Sequence, residues 1–223
     1  MDDPLTPSAS PSLEIQPARA SFLQTLRSHA TLLIGMLGLM WIIELLDLVS
    51  LGFFSRHGIH PRSMEGLWGI LFAPFLHANF RHLLANSVPF IVLGGIVLIG
   101  GRAIFWAVTV FVILLGGFGV WLIAGSNSNH IGASGLIFGY LGFLLARGFF
   151  ERSPVWIVVA VLILIGYGGM LAGLLPIYFG VSWQSHLCGF LAGLAAARVL
   201  VSPGKKVIAK PAISAAPAAR ALE

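Results

Sequence analysis

The sequence predicts an all-α membrane protein, folded as a bundle of six transmembrane helices. Of its 223 residues, 57% are hydrophobic and only 9% are charged, whereas soluble domains carry about 25% charged residues. Apolar stretches recur along the chain, and several reach the roughly 20 residues that a helix needs to cross a bilayer. This composition indicates a protein of the lipid bilayer and argues against a single oversized soluble core.

Six apolar stretches are candidate membrane spans. They cover residues 31–54, 83–100, 103–124, 134–145, 154–174 and 184–201. Ser153 and Pro154 stand at the start of the fifth, as a pair that suits the N-cap and the first turn of a helix. The fourth is short, and the neighbouring Phe149 and Phe150 extend its apolar character toward the interface.

The two ends of the chain differ from its apolar middle. Residues 1–29 and 202–223 are rich in Pro, Ala, Ser and charged residues, a composition that buries too little apolar surface to fold alone. We therefore expect a mobile cytoplasmic N-terminal arm over residues 1–29, a six-helix domain over residues 30–201 and a mobile basic C-terminal tail over residues 202–223.

Lysine and arginine are distributed unevenly over the predicted loops. If the N-terminus is cytoplasmic, ten of the 13 basic residues fall on the cytoplasmic side, as the positive-inside rule requires. Both termini are then cytoplasmic, and the uncharged loops GSNSNHIGA and PIYFGVSW lie outside. Topology thus explains the net charge of +5, so we expect the lipid bilayer and no nucleic acid as a partner. The cytoplasmic membrane of a bacterium is the favoured location.

Small residues line one face of the fourth and of the sixth predicted helix. At helical spacing, the face of the fourth carries Gly135, Gly139 and Gly142. The sixth has the sequence WQSHLCGFLAGLAAA. Its face carries His186, Gly189 and Gly193 at positions i, i+3 and i+7. Glycine faces let two membrane helices approach closely, so we expect these helices to pack together with His186 in their interface.

Ser134 and His186 both lie near the outer ends of their predicted helices. Ser134 stands between small residues in the stretch HIGASGLIFG, where the fourth helix begins. An imidazole beside a serine hydroxyl takes up its proton as a general base and creates a nucleophile. A histidine within a membrane span is by default a functional hypothesis. Two simpler interpretations stay open: Ser134 caps its helix, and His186 makes a structural hydrogen bond.

The second predicted helix begins in the stretch FLHANFRHLLAN, which contains His77, His82 and Asn86. His82 and Asn86 are four residues apart and share a helical face. Both side chains can donate hydrogen bonds, and with the backbone N–H of Ser134 they suit an oxyanion hole for acyl transfer. The alternative is that both residues only cap and anchor the helix at the interface.

The three motifs HANFRHLLAN, GASG and SHLCGFLAG, in this order on six predicted spans, resemble the rhomboid family of intramembrane serine proteases. The resemblance covers residues 31–200 and implies a six-helix bundle of rhomboid type. It implies Ser134 and His186 as a catalytic dyad without an acidic third member, and His82 and Asn86 as oxyanion-stabilising residues. The residues that it places in the helix packing at the site are Gly132, Gly135, Gly189, Gly193 and Phe138.

Two positions depart from the family pattern. Rhomboids often carry a tyrosine four residues after the serine, stacked on the histidine, and this chain has Phe138 there. A phenyl ring still stacks, so we expect activity to survive. Many members also carry a Trp-Arg pair in the first loop, where this chain has Trp68 followed by Gly69. The detailed fold of that loop therefore does not follow from the resemblance.

The first loop and the first span carry further features. The apolar stretch GLWGILFAPFL is too short to span, and we expect Trp68, Phe72 and Phe75 to enter the lipid interface. A loop that covers the bundle is an equal alternative.

Glu44 and Asp47 share a face of the first span, where we favour a structural hydrogen-bonding role over catalysis.

The resemblance implies a serine endopeptidase that hydrolyses transmembrane or membrane-associated protein substrates near the outer membrane surface. It implies no cofactor, and no metal site is expected because His77, His82 and His130 lack acidic or thiol partners at metal spacing. Two other functions stay open: a non-catalytic rhomboid-like protein that binds membrane helices, and a transporter that uses Glu44 and Asp47. A transporter is expected to show internal repeats, which we do not find in this sequence.

Overall fold

The computed structural model describes residues 16–201, with side-chain surroundings from residue 24 onward. Within this range the α-helices are α1 (Gln16–Val49), α2 (Gly66–Phe72), α3 (Phe80–Ile99), α4 (Arg102–Phe111), α5 (Gly117–Ile123), α6 (Ser134–Glu151), α7 (Pro154–Tyr167) and α8 (Trp183–Leu200). Extended pairing over the same residues is limited to one bridge between Ile59 and His130. The predicted all-α class is therefore confirmed.

Helix α1 begins earlier than the sequence predicts. It starts at Gln16, so residues 16–29, which composition assigns to a mobile arm, are helical. The stretch contains Ala, Leu, Gln and Arg, which are strong helix formers, and Pro17 stands in the first turn, where its missing N–H is not needed. The rest of the predicted arm, residues 1–15, and the predicted tail, residues 202–223, lie outside the described residues.

Four helical segments are long and apolar enough to cross a membrane. They are Gln24–Val49, Phe80–Ile99, Arg102–Ile123 and Pro154–Leu174. In the third, the five-residue π-helical segment Val112–Gly116 joins α4 to α5. In the fourth, the 3-10 helix Gly168–Leu174 continues α7. The length and composition of these segments are those of a membrane protein.

Helix α6 lies in the centre of the bundle, and α8 packs against it. Every residue from 136 to 144 in α6 is buried, as expected for a helix that other helices surround. Each of the two helices has 18 residues, and both are less apolar than the four spans because they carry glycines and polar residues. The count of six spans therefore stays a prediction.

Glycine backbones hold α6 against α8. A Cβ atom on Gly189 would overlap the carbonyl oxygen of Gly135, and one on Gly193 would overlap that of Gly139. The two helices thus approach so closely that no side chain fits between them at these positions. This contact lies within the first turns below Ser134 and His186, and it sets the distance between the two helices at the site.

The first loop is anchored at the end of α1. The carboxylate of Asp47 accepts hydrogen bonds from the backbone N–H groups of Phe54, at 2.6 Å, and Ser55, at 3.0 Å. These bonds fix the turn that follows the helix, which is the structural role favoured for Asp47 from sequence. In α2, Trp68 and Phe72 are exposed, as contact with the lipid interface requires.

Candidate active site

A cavity of about 530 Å³ opens where the first turns of α3, α6 and α8 meet. Its lining includes His82 and Asn86 from α3, Ser134 and Phe138 from α6, and His186 from α8. The structure therefore brings five of the residues that sequence reasoning places at the site to one cavity. A mostly apolar cavity with a few convergent polar groups is the usual form of a binding or active site.

Ser134 is the first residue of α6, and the N-cap of this helix is Ala133. The interpretation of Ser134 as the helix cap is therefore wrong. Its side chain is half-buried, and its hydroxyl has no hydrogen-bond partner among the described residues. The hydroxyl thus lies unengaged at the N-terminal end of a helix, where the helix dipole favours negative charge.

His186 is buried, with 8% of its surface exposed. Its Nδ1 lies 2.9 Å from the carbonyl oxygen of Gly173, and because a carbonyl only accepts, Nδ1 carries the proton. The neutral ring then has its lone pair on Nε2, the tautomer that a general base needs. Gly173 lies in the 3-10 helix after α7. A backbone carbonyl therefore holds this imidazole in the way that a carboxylate holds the histidine of a Ser-His-Asp triad.

Phe138 lies against the face of the His186 ring. The ring centroids are 4.1 Å apart and the planes differ by 10°. A Cβ atom on Gly173 would lie 3.0 Å from Nδ1 of His186 and 3.1 Å from Cζ of Phe138. Both rings therefore pack tightly against a glycine, which lets the chain after α7 approach the imidazole closely.

His82 and Asn86 converge on Gly132, two residues before Ser134. A Cβ atom on Gly132 would lie 2.7 Å from the His82 ring and 3.6 Å from Nδ2 of Asn86, and its φ of +114° also favours glycine. Nδ2 of Asn86 is buried and has no hydrogen-bond partner. Asn79 caps α3 by accepting a hydrogen bond from the N–H of His82 at 2.9 Å. A buried donor without a partner is costly, and this one belongs to a residue that lines the cavity.

The site is assembled but not hydrogen-bonded across its centre. In the described part of the chain, no hydrogen bond joins the Ser134 hydroxyl to His186, although both line the same cavity. Such bonds are often long in unliganded sites and tighten when a substrate binds. The geometry thus offers a free hydroxyl, an imidazole in the basic tautomer and an unpartnered buried N–H donor.

Comparison with known proteins identifies the family of this chain. A family model described as Rhomboid domain matches residues 64–203. This chain belongs to the rhomboid family. An uncharacterized protein of Mycobacterium tuberculosis is 44% identical over 184 residues, which are 79% of this chain and 77% of that protein. A protein of Acanthamoeba polyphaga mimivirus that is named a rhomboid protein is 30% identical over 159 residues, 68% of this chain and 84% of its own length.

A second mycobacterial relative shows a similar match. An uncharacterized protein of Mycobacterium leprae is 42% identical to this rhomboid over 178 residues, covering 76% of this chain and 70% of that protein. The family predicted from the three motifs is therefore confirmed.

This rhomboid has Gly69 where many family members have an arginine, and the structure shows the reason. A Cβ atom on Gly69 would overlap the carbonyl oxygen of Gly58, and one on Gly66 would overlap that of His60. Helix α2 therefore lies directly against the backbone of residues 58–60. An arginine side chain at position 69 would not fit this contact. The first loop therefore packs in a way that the Trp-Arg pair of other rhomboids does not predict.

His77 contacts the loop that precedes Ser134 in this rhomboid. Its Nε2 accepts a hydrogen bond from the N–H of Ala133 at 3.3 Å, and its ring meets the His82 ring edge-on with 5.1 Å between centroids. Burial, followed by the nearby charge of His82, lowers the pKa of His77 to about 4. His77 therefore stays neutral near pH 7 and can keep accepting the Ala133 N–H.

His130 is a residue to which sequence reasoning assigns no role. Its Nδ1 lies 2.6 Å from the hydroxyl of Ser182, and its Nε2 lies 2.7 Å from the hydroxyl of Ser128. The Ser182 hydroxyl also accepts the N–H of Ser185 and so caps α8. Burial lowers the pKa of His130. This ring joins the loop before Ser134 to the start of α8, a link between residues 52 positions apart that no local pattern signals.

Proposed function

We propose that this rhomboid is an intramembrane serine endopeptidase that hydrolyses peptide bonds of transmembrane or membrane-associated proteins. The observation that carries the proposal is the hydrogen bond from Nδ1 of His186 to Gly173. It leaves Nε2 as the basic nitrogen in a cavity shared with the unbonded hydroxyl of Ser134. A base oriented by a third group beside a nucleophile is the general arrangement for covalent catalysis.

The first half of the reaction forms an acyl-enzyme. The Oγ of Ser134 attacks the carbonyl carbon of the scissile bond while its proton passes to Nε2 of His186. The tetrahedral intermediate then breaks its C–N bond, and His186 returns the proton to the leaving amine. The amine end of the substrate departs, and the acyl group stays on Ser134 as an ester.

Negative charge on the carbonyl oxygen needs donors in a site that excludes water. We assign this role to His82, to Nδ2 of Asn86 and to the backbone N–H of Ser134. The support is the convergence of His82 and Asn86 on Gly132, together with the buried Nδ2 that has no protein partner. A substrate oxygen would supply the hydrogen bond that this N–H lacks.

The second half of the reaction consumes water. A water molecule attacks the ester carbonyl while Nε2 of His186 takes up one of its protons. The bond between the carbonyl and Oγ then breaks, Ser134 regains its proton from His186, and a carboxylic acid is released. The substrate must present an extended segment, because a helical backbone engages its own carbonyls. Residues of low helix propensity near the scissile bond should favour this.

We further propose six membrane spans, with α6 and α8 crossing in the centre, and both termini on the cytoplasmic side of a bacterial cell membrane. The bridge between Ile59 and His130 joins the loop after α1 to the loop before α6 at one end of the bundle. The positive-inside rule makes this the outer end. The site would then cleave substrates near the outer membrane surface.

Labelling with a fluorophosphonate probe in detergent tests the chemistry. The native chain should be labelled, and Ser134→Ala and His186→Ala should both lose the label. Ser50→Ala is the matched control, since this serine directly follows α1 and does not line the cavity, and it should label like the native chain. A folded native chain without labelling would contradict the proposal and favour a non-catalytic rhomboid that binds membrane helices.

A second experiment tests the substrate class. The protein is reconstituted into liposomes with a single-span substrate that carries Gly or Pro near one helix end, and with a matched substrate that carries Leu there. Mass spectrometry of the products should show one cut near the membrane surface, faster in the first substrate and absent with Ser134→Ala. Cleavage that persists in Ser134→Ala would contradict the assignment of the nucleophile.

A further inference from the structure

A groove of about 990 Å³ runs between the second half of α1, the turn at residues 53–60, and α2. Most of its wall is apolar and is formed by Leu39, Ile43, Phe53, Trp68, Leu71, Phe72, Phe75 and Leu76. Its lining shares no residue with the candidate active site. The volume lies at the upper end of the range of about 300–1,000 Å³ for ligand pockets.

The groove has the depth of one bilayer leaflet. Leu39 lies ten residues before Val49, the last residue of α1, which is about 15 Å along a helix. The hydrocarbon core of a bilayer is roughly 30 Å thick, so the groove runs along half of it. The bridge between Ile59 and His130 places the polar end of the groove at the same end of the bundle as Ser134.

The polar end of the groove carries one unpaired cation. A terminal nitrogen of Arg56 donates to the carbonyl oxygen of Leu51 at 3.2 Å, which leaves its other N–H groups available. Arg56 is exposed, and no carboxylate pairs with it in the described part of the chain. A guanidinium with free donors at the head of an apolar groove is complementary to a phosphate group.

The same end also carries hydrogen-bond acceptors. His57 donates through Nδ1 to the carbonyl of Phe53, and His60 donates through Nε2 to that of Arg56, each at 2.7 Å. The second nitrogen of each ring takes no part in these bonds and can accept a hydrogen bond. Glu65 lines the groove, is exposed, and has no cation partner among the described residues. Together these groups suit a cationic group that has several N–H donors.

We propose that this groove binds one glycerophospholipid with a primary-amine headgroup, of the phosphatidylethanolamine class. An acyl chain lies along α1 toward Leu39, the phosphate accepts hydrogen bonds from Arg56, and the ammonium donates to Glu65 and the free ring nitrogens. A choline headgroup has no N–H to donate, and a glycerol headgroup places no cation beside Glu65. The proposal is independent of the proteolytic function, because the groove and the active site share no lining residue.

Native mass spectrometry of the full chain in detergent tests the proposal. The protein is mixed with equimolar phosphatidylethanolamine, phosphatidylcholine and phosphatidylglycerol that carry identical acyl chains. One phosphatidylethanolamine should be retained, with a preference of about tenfold over the other two, as the loss of one charge-assisted interaction implies. Equal retention of the three lipids, or a preference for phosphatidylglycerol, would overturn the proposal.

Three variants and one control assign the effect to the groove. Arg56→Gln should lower phosphatidylethanolamine retention about tenfold, and Glu65→Gln should remove its advantage over phosphatidylglycerol. Leu71→Trp should fill the apolar wall and lower the retention of all three lipids. Arg81→Gln is the control, since Arg81 is exposed and lies outside the groove. Equal losses in Arg56→Gln and Arg81→Gln, in variants with the native melting temperature, would show general surface charge and refute the site.

Discussion

The ring of Phe138 lies parallel to the imidazole of His186, with 4.1 Å between their centroids and 10° between their planes. At the edge of the same imidazole, Nδ1 is bound to the carbonyl oxygen of Gly173. One contact fixes the position of the ring and the other fixes its tautomer. The orientation of this histidine therefore depends on an apolar neighbour and a backbone carbonyl, and on no carboxylate.

Replacing Phe138 should slow the chemistry. Phe138→Ala should also destabilise the protein, by about 3–5 kcal/mol, because this ring is buried in the core, so its labelling rate is measured on the folded fraction. Phe138→Ala removes a stacked pair worth about 1 kcal/mol, so the rate of fluorophosphonate labelling should fall by roughly five- to tenfold. Phe138→Tyr keeps the ring and should label within about twofold of the native rate. Phe149→Ala is the control, since that ring is 76% exposed at the other end of α6, and its labelling rate should be native. Native labelling by Phe138→Ala would show that the stack does not orient His186.

Substitutions of Asn86 and Asn79 should affect cleavage and stability differently. Asn86→Ala removes a buried N–H that has no partner, so the melting temperature should stay within a few degrees or rise. The rate of substrate cleavage should nevertheless fall by about 10²–10³, as for other oxyanion donors.

The matched variant Asn79→Ala should behave in the opposite way. Its side chain caps α3, so it should cost about 1 kcal/mol of unfolding free energy and reduce cleavage less than Asn86→Ala does. Thermal unfolding in detergent and cleavage in liposomes measure both effects. A large loss of stability in Asn86→Ala together with native cleavage would refute the oxyanion assignment.

Gly189→Ala should destabilise the bundle. Its methyl group would overlap the carbonyl oxygen of Gly135, and overpacking of this kind costs about 1–3 kcal/mol. Gly38→Ala in α1 is the matched control, because no atom lies within 4 Å of the added methyl group. It should be neutral or stabilise the helix by about 0.5–1 kcal/mol. Equal unfolding free energies for the two variants would show that α6 and α8 can separate without cost.

His77 should make the protein less stable in acid. Its folded pKa is lowered to about 4 from 6.5, so between these values the unfolded chain binds more protons than the folded chain. The stability is therefore full above pH 6.5 and falls as the pH drops toward 4, by up to roughly 3 kcal/mol. His77→Gln can still accept the Ala133 N–H but does not titrate, so its unfolding free energy should fall less steeply over this window. The same slope in both proteins would contradict this origin.

His130 and Ser182 should be energetically coupled. Their hydrogen bond of 2.6 Å joins the loop before Ser134 to the N-cap of α8. The single variants His130→Ala and Ser182→Ala should each destabilise the protein, and the double variant should cost less than their sum, by about 0.5–3 kcal/mol. A double-mutant cycle of unfolding free energies measures this coupling. Strict additivity would show that the bond does not contribute.

Local sequence patterns predicted the helices, because the backbone hydrogen bonds of a helix join residues of the same short segment. The spans α3, α4–α5 and α7 follow from apolar stretches alone, and the glycine spacing of α6 and α8 indicated which faces meet. The first membrane span was predicted to begin at residue 31, whereas the apolar segment of α1 begins at Gln24 and its helix at Gln16. The reason is that apolarity marks only the membrane-embedded part of a helix, whereas helix propensity continues beyond it.

Contacts between distant segments were not predictable in the same way. The hydrogen bond of His130 to Ser182 and the fit of Gly69 against Gly58 depend on loops that meet only in the folded chain. Neither contact has a periodic signal, because loops repeat no spacing. The family resemblance also did not predict the fold of the first loop, because this chain has Gly69 where many rhomboids have arginine.

By itself, the sequence determined that this is an all-α membrane protein of the rhomboid family and named Ser134, His186, His82 and Asn86 as its candidate site residues. A bilayer demands long apolar helices, and chemistry demands particular side chains, so both leave marks along the chain. Only the tertiary structure decided which nitrogen of His186 is basic, because that depends on the carbonyl of Gly173. A backbone carbonyl is present at every residue, and only folding selects the one that meets the imidazole.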